Sequence, residues 1–176
     1  MPLPFAFCAS GFLALFVGSS VGAAVGALLK EKQHTIAITE SSCGGLISAT
    51  LVSVPGASAF YRGGAVVYTR IAQEGLLHIP DSAMSDIRAS SEPYALLNSR
   101  TIRQTLGVTW ALSETGASGP TGNSYGDAAG HACFAVTGPV ERTFTLETAT
   151  ADREGNMWIF ASSALDLLKQ CLMECE

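Results

Sequence analysis

Short, apolar, β-branched runs alternate along this chain with longer stretches of helical spacing, and glycine or proline marks the joints. That alternation leaves few architectures open, because neighbouring parallel strands need a crossover, and a helix packed on the sheet is the usual one. Residues 35–39 (TIAIT) form the clearest strand, uncharged and short enough to sit fully buried. A polar, glycine-rich turn from Glu40 to Gly45 leads into residues 46–52, which suit a helix, and Pro55-Gly56 stops that helix. Gly63-Gly64 precedes a second buried run over 65–68, and a short helix fits 71–77, ended by Ile79-Pro80-Asp81. Ser91-Glu92-Pro93 opens another helix, with Ser as cap and Pro in the first turn, and Gly107 closes it after Leu106. A third strand covers 108–113 (VTWALS). Two more cover 131–137 and 142–148, and Gly138-Pro139 between them signals an antiparallel hairpin. The last helix, 153–173, places Phe160, Ala164, Leu165, Leu168 and Leu172 on one face. The expected fold is one α/β layered domain with a mixed sheet and no internal repeat.

Before residue 30 there is no charged side chain. A membrane span needs about twenty apolar residues, and Pro2, Pro4, Gly11 and the Gly18-Ser19-Ser20 break weaken one. A secretory signal needs a positive start, which is missing. The reading adopted is an apolar leader over 1–18, then a domain over 19–176 that begins with a buried helix. Val21, Val25, Leu28 and Leu29 line one face of that helix, and Lys30-Glu31-Lys32 closes it. Targeting by the leader, or a start-site artefact, stays open at this point. Over the whole chain 48% of residues are hydrophobic and 14% charged, against roughly 25% charged in typical soluble domains. Disorder is excluded by that balance. With a net charge of −5 and only ten Lys and Arg, the chain has no basic stripe for nucleic acid. The high apolar fraction leaves room for subunit contacts in a homo-oligomer. Five cysteines without C-x-x-C spacing read as free thiols of a reducing, cytoplasmic setting. Three scattered histidines give no metal-ligand pattern.

In an α/β sheet, ligands gather beyond the carboxyl ends of the strands. Two loops lie there. The first holds Glu40, Ser41, Ser42, Cys43, Gly44 and Gly45, which supply hydroxyls, a thiol, a carboxylate and backbone N–H groups that can bind an anion; a plain capped turn is the competing reading. The second runs from Glu114 to Gly126. Its glycines (Gly116, Gly119, Gly122) let backbone approach a ligand, and Ser118, Thr121, Asn123 and Ser124 offer hydrogen bonds. It matches neither a Walker A loop nor a dinucleotide fingerprint.

These residues resemble the CinA C-terminal-domain family from about residue 19 onward. The turn TIAITESSCGG (35–45) is similar to the family's strand and E-S-C-T-G-G turn, and VPGASAF (54–60) to V-P-G-S-S-x-x-F. GGAVVYT (63–69) resembles G-G-x-V-x-Y-S. Ser91-Glu92-Pro93 matches S-E-P, and TGASGPTG (115–122) resembles T-G-x-A-G-P-x-G. The resemblance implies a three-layer α/β/α sandwich with a mixed, mostly parallel sheet. It implies hydrolysis of the carboxamide of nicotinamide mononucleotide to nicotinic acid mononucleotide and ammonia, with no metal or organic cofactor and a small pyridine nucleotide as partner. It places the nucleophile at Ser41 and gives Tyr68 the task of orienting substrate or relaying a proton. The turn residues, Arg70, the second loop and Arg153 would bind the substrate.

The chain departs from that pattern where the family carries an activating lysine: the position is Gln73, which cannot accept a proton, while Arg70 nearby does not deprotonate. Met157 stands where a second arginine is common, and Ser42-Cys43 replaces Cys-Thr. Cys43 is an alternative nucleophile if its pKa is lowered. Two readings follow: a serine amidase whose base is Tyr68, His78 or a group elsewhere, and a catalytically silent relative that binds a nucleotide.

Overall fold

The computed structural model describes residues 9–175, with side chains described from residue 20. The start of the leader therefore lies outside the described residues. Helix α1 (Ala9–Glu31) runs across the boundary at 18 and buries Val25 and Leu29 fully, with Val21 and Leu28 packed at the edge of the same cluster. Next come β1 (Ile36–Glu40), α2 (Leu46–Val52), β2 (Tyr61–Val66), α3 (Arg70–Leu77), α4 (Glu92–Leu106), β3 (Trp110–Ala117), β4 (His131–Thr137), β5 (Arg142–Glu147) and α5 (Arg153–Glu174). The sheet order is β2-β1-β3-β4-β5; β1 pairs parallel with β2 and β3, while β4 pairs antiparallel with β3 and β5. Four strands thus point one way and β4 the other, a mixed sheet that is mostly parallel in direction.

Alternation along the strands divides the core into two layers. Ile36, Ile38, Trp110, Leu112, Phe134 and Val136 face α1, α2 and α5. Ala37 and Ala111 face the opposite way, toward the cluster containing Leu77 of α3 and Ile102 of α4. Each fully buried large side chain, Trp110, Phe134 and Phe160 among them, contributes about 1.5–3 kcal/mol. The α4 boundaries follow local chemistry. Ser91 accepts the Tyr94 N–H at the start, and Gly107, at φ 60°, closes the end.

Two strands depart from expectation. β2 occupies 61–66 rather than 65–68, because Gly63 and Gly64 are strand residues and not a turn. A Cβ on Gly64 would lie 2.6 Å from the Tyr61 hydroxyl and 2.9 Å from the Ile38 carbonyl, so the close approach to β1 requires glycine. β3 continues past Ser113 to Ala117, since β4 pairs along it as far as Ala117–His131. Among the described residues, no helix is long and apolar enough to cross a membrane.

Candidate active site

A cleft of about 810 Å³ opens beyond the carboxyl ends of β1, β2 and β3. That is the size of a small-molecule site. Ser41 and Gly116 border it from the sheet side, Tyr68 and Arg70 from the start of α3, and Asn123 and Tyr125 from the second loop. Its outer wall is the segment 84–90, with Tyr94 of α4 behind.

The β1–α2 turn is organised by two buried carboxylates. Glu40, at zero exposure, accepts the N–H groups of Gly45 (3.0 Å), Ile47 (3.0 Å) and Ser48 (2.8 Å) and the Ser48 hydroxyl (2.6 Å). Glu114, on β3 and also at zero exposure, accepts the N–H of Ser41 (2.9 Å), the N–H of Cys43 (2.9 Å) and the Ser42 hydroxyl. Burial pushes the Glu114 carboxyl above its ordinary range; the three hydrogen bonds oppose that shift, and the nearby Glu40 charge adds to it. Gly44 N–H donates to the Ser41 carbonyl at 3.1 Å. Within 41–45 the backbone is therefore not an open anion cradle: only the Ser42 N–H has no acceptor among the described residues. The Ser41 hydroxyl likewise has no protein partner, and it borders the cleft.

Cys43 is fully buried, its thiol 3.8 Å from the Met157 carbonyl. Burial first, then the Glu114 and Glu40 charges, push that thiol well above its ordinary range. A buried thiol raised in this way is a poor nucleophile, which weighs against Cys43 in that role. The Met157 methyl lies over the turn instead, 3.2 Å from where a Cβ on Gly44 would stand.

Tyr68, 57% exposed, accepts a hydrogen bond from Arg153 at 3.1 Å, and the same guanidinium donates to the Gly119 carbonyl at 2.6 Å. Arg153 thus ties α5 to both the tyrosine and the glycine loop without lining the cleft. Arg70 pairs with Asp81 (2.5 Å) and donates to the Gln73 side-chain oxygen. Gln73 is at zero exposure, its amide nitrogen donating to Asn98 at 2.6 Å. It lies one hydrogen bond behind Arg70 and does not line the cleft. His78 caps the end of α3 and does not line it either.

The second loop is internally braced. Asn123 accepts the N–H groups of Tyr125 and Asp127 and donates to the Asp127 carboxylate at 2.8 Å. Ser118 and Gly119 are buried, whereas Thr121 and Gly122 are exposed and do not line the cleft. Sequence reasoning missed Glu114 as a site residue, although a carboxylate ending an apolar strand signals a buried partner. It also missed Arg88, which lines the cleft, pairs with Asp127 at 2.6 and 2.9 Å and lies 5.9 Å from the Tyr125 ring centre. Asp127 is held below the usual carboxylate range by that arginine. Neither pairing is visible from spacing, because the partners come from separate segments.

A family model described as CinA C-terminal domain matches residues 19–172. A CinA-like protein of Gloeobacter violaceus is 34% identical over 160 residues, covering 89% of this chain and 37% of that protein. One from Synechococcus elongatus is 31% identical over 157 residues, covering 88% and 37%. The chain thus spans just over a third of the length of these curated relatives. Among solved structures, a competence-damaged protein (CinA) superfamily protein from Klebsiella pneumoniae gives a TM-score of 0.83 at 24% identity, over 89% of this chain and 98% of that one. A competence damage-inducible protein A from Klebsiella pneumoniae gives 0.84 at 24%, over 90% and 99%. At such identity these structures speak for the fold.

Proposed function

The chain belongs to the CinA C-terminal domain family, and from that premise we propose that it hydrolyses the carboxamide of nicotinamide mononucleotide at Ser41. The observation that carries this reading is the unpartnered Ser41 hydroxyl at the edge of a nucleotide-sized cleft. In the proposed reaction, Ser41 Oγ bonds to the amide carbon, and the C–N bond breaks as ammonia leaves with the serine proton. Water then cleaves the acyl ester to nicotinic acid mononucleotide and restores the serine. The Ser42 N–H is the backbone donor still free to meet the developing oxyanion. Arg70 suits the phosphate: its partner Asp81 has a side chain 84% exposed, so exchanging that ion pair for a phosphate costs little.

The cleft carries neither lysine nor histidine. Tyr68 is the one proton-relay residue named from the sequence that borders it. Turnover below a lysine-activated serine by roughly 10²–10⁴ is the expected consequence. The buried, doubly bonded Gln73 favours a second reading, a relative that binds the nucleotide without cleaving it. Ammonia release from nicotinamide mononucleotide, measured beside Ser41→Ala with calorimetric binding in parallel, separates the two. Slow release that vanishes in the mutant supports the amidase. Binding without release supports the silent relative, and neither binding nor release refutes both.

A further inference from the structure

Glu114 satisfies the β1–α2 turn without any cation of its own. Among the described residues no basic group pairs with its carboxylate, and the charge that acts on it is the repelling one of Glu40. An apolar residue on β3 would avoid burying that carboxylate, but it would leave two N–H groups and a hydroxyl without acceptors. The pattern of donors it takes is selective. One oxygen receives the N–H groups of Ser41 and Cys43, both at 2.9 Å, and the other receives the Ser42 hydroxyl. Gly44 and Gly45 N–H groups are taken by the Ser41 carbonyl and by Glu40. The donors left without an acceptor in 41–45, among the described residues, are the Ser41 hydroxyl and the Ser42 N–H.

We propose that Glu114 is a positioning residue for the Ser41 reaction, clamping the turn from the neighbouring strand so that Ser41, and not Ser42, presents a free hydroxyl to the cleft. This rests on the amidase reading above. Without the clamp, the Ser42 hydroxyl loses its acceptor and competes for the same space, and the Ser41 backbone is no longer anchored to β3. Gly116 belongs to the same device: a Cβ there would stand 3.0 Å from the Ser42 hydroxyl, so the strand must be bare at that point to seat it. The clamp depends on acceptor geometry more than on charge. A glutamine at 114 can accept both N–H groups through its carbonyl and donate its amide to the Ser42 oxygen, reversing one bond and keeping all three.

The test compares Glu114→Ala with Glu114→Gln in the full chain. Glu114→Ala should lower kcat for ammonia release from nicotinamide mononucleotide by about 10²-fold, the scale of an ångström-sized misplacement. KM should stay within roughly threefold, since the phosphate anchor is untouched. Glu114→Gln should recover most of the loss. Wild-type kcat in Glu114→Ala, or Glu114→Gln no better than Glu114→Ala, overturns the proposal. If wild type and Ser41→Ala release ammonia equally, the amidase reading fails by itself, and backbone hydrogen exchange decides the clamp. The Ser41 and Cys43 amides should then exchange at least about tenfold faster in Glu114→Ala and stay protected in Glu114→Gln; unchanged exchange in Glu114→Ala overturns the clamp. Should Glu114→Ala not fold, Glu114→Asp replaces it, a carboxylate one methylene short of the turn.

Discussion

Replacing Gln73 by lysine restores the base that the amidase reading lacks, and the structure sets both its cost and its yield. The Gln73 side chain is at zero exposure, donates to Asn98 at 2.6 Å and accepts from Arg70. An ammonium there would be desolvated and would face a guanidinium, so both burial and like charge push the lysine toward its neutral form. A depression of about three pKa units corresponds to ~4 kcal/mol of stability at neutral pH. Rebuilt hydrogen bonds offset part of this, because a neutral amine still donates to Asn98 and its lone pair can accept from Arg70. A net loss of ~2–4 kcal/mol follows, tolerable for a domain with the usual 5–15 kcal/mol. A neutral lysine is also the form that removes a proton. General-base catalysis is worth ~10²–10⁴, but Arg70 stands between position 73 and the cleft, so the gain should fall toward the lower end. Gln73→Lys should therefore raise the rate of ammonia release at least about tenfold. The rate should acquire a rise with pH through the depressed lysine pKa that wild type lacks. Steady-state ammonia assays across pH, beside denaturant unfolding of both proteins, provide the check. A folded Gln73→Lys with wild-type rate and wild-type pH dependence refutes the idea that position 73 can serve Ser41.

Two further outcomes follow from the same turn. Because the Glu114 carboxyl is raised in the fold from its ordinary 4.5, the native state holds its proton more tightly than the unfolded chain. Its contribution is thus fully present below the unfolded pKa and is lost as pH rises through the folded one. The Tm of wild type relative to Glu114→Gln should fall as pH rises above about 4.5, and a difference that does not vary with pH would contradict the assignment. Gly116→Ala places a methyl carbon 2.4 Å from the His131 carbonyl oxygen and 3.0 Å from the Ala132 Cα. These are backbone atoms of β4 that cannot swing away, so chemical unfolding should report a loss of ~1–3 kcal/mol. An alanine variant of wild-type stability would mean that β3 and β4 can separate there.

The readable parts of the molecule are those fixed by neighbours in sequence. The helix at 92–106 was legible to the residue at its start, since a serine cap, a proline in the first turn and a terminal glycine each act over a few positions. The pairing of 131–137 with the following strand was legible from Gly138-Pro139 in the same way. Ser41 at a strand end and the family blocks around it were equally visible. Less legible were the limits of β2 and β3. Gly63 and Gly64 look like a turn until the Tyr61 hydroxyl and β1 are seen against them, and residues 114–117 look like loop until β4 lies alongside. At the site, Ser41, Tyr68, Arg70 and Gly116 gather at the cleft, while Ser118 and Gly119 turn inward and Thr121 and Gly122 stay outside it.

Sequence alone determined the α/β alternation, the mixed sheet and the family, because hydrophobic period, caps, turns and motif blocks are local properties of the chain. Tertiary structure decided what each polar group in the site is free to do. Residue composition offered the 41–45 turn as an anion cradle. Across the sheet, however, Glu114 from β3 and Glu40 from β1 claim most of its donors. The family resemblance marked Gln73 as the place of a missing base, and packing buried that amide against Asn98 behind Arg70. A hydrogen-bonding group is spent or available according to which partner reaches it first, and those partners lie some seventy positions away in the chain for Glu114 and twenty-five for Asn98.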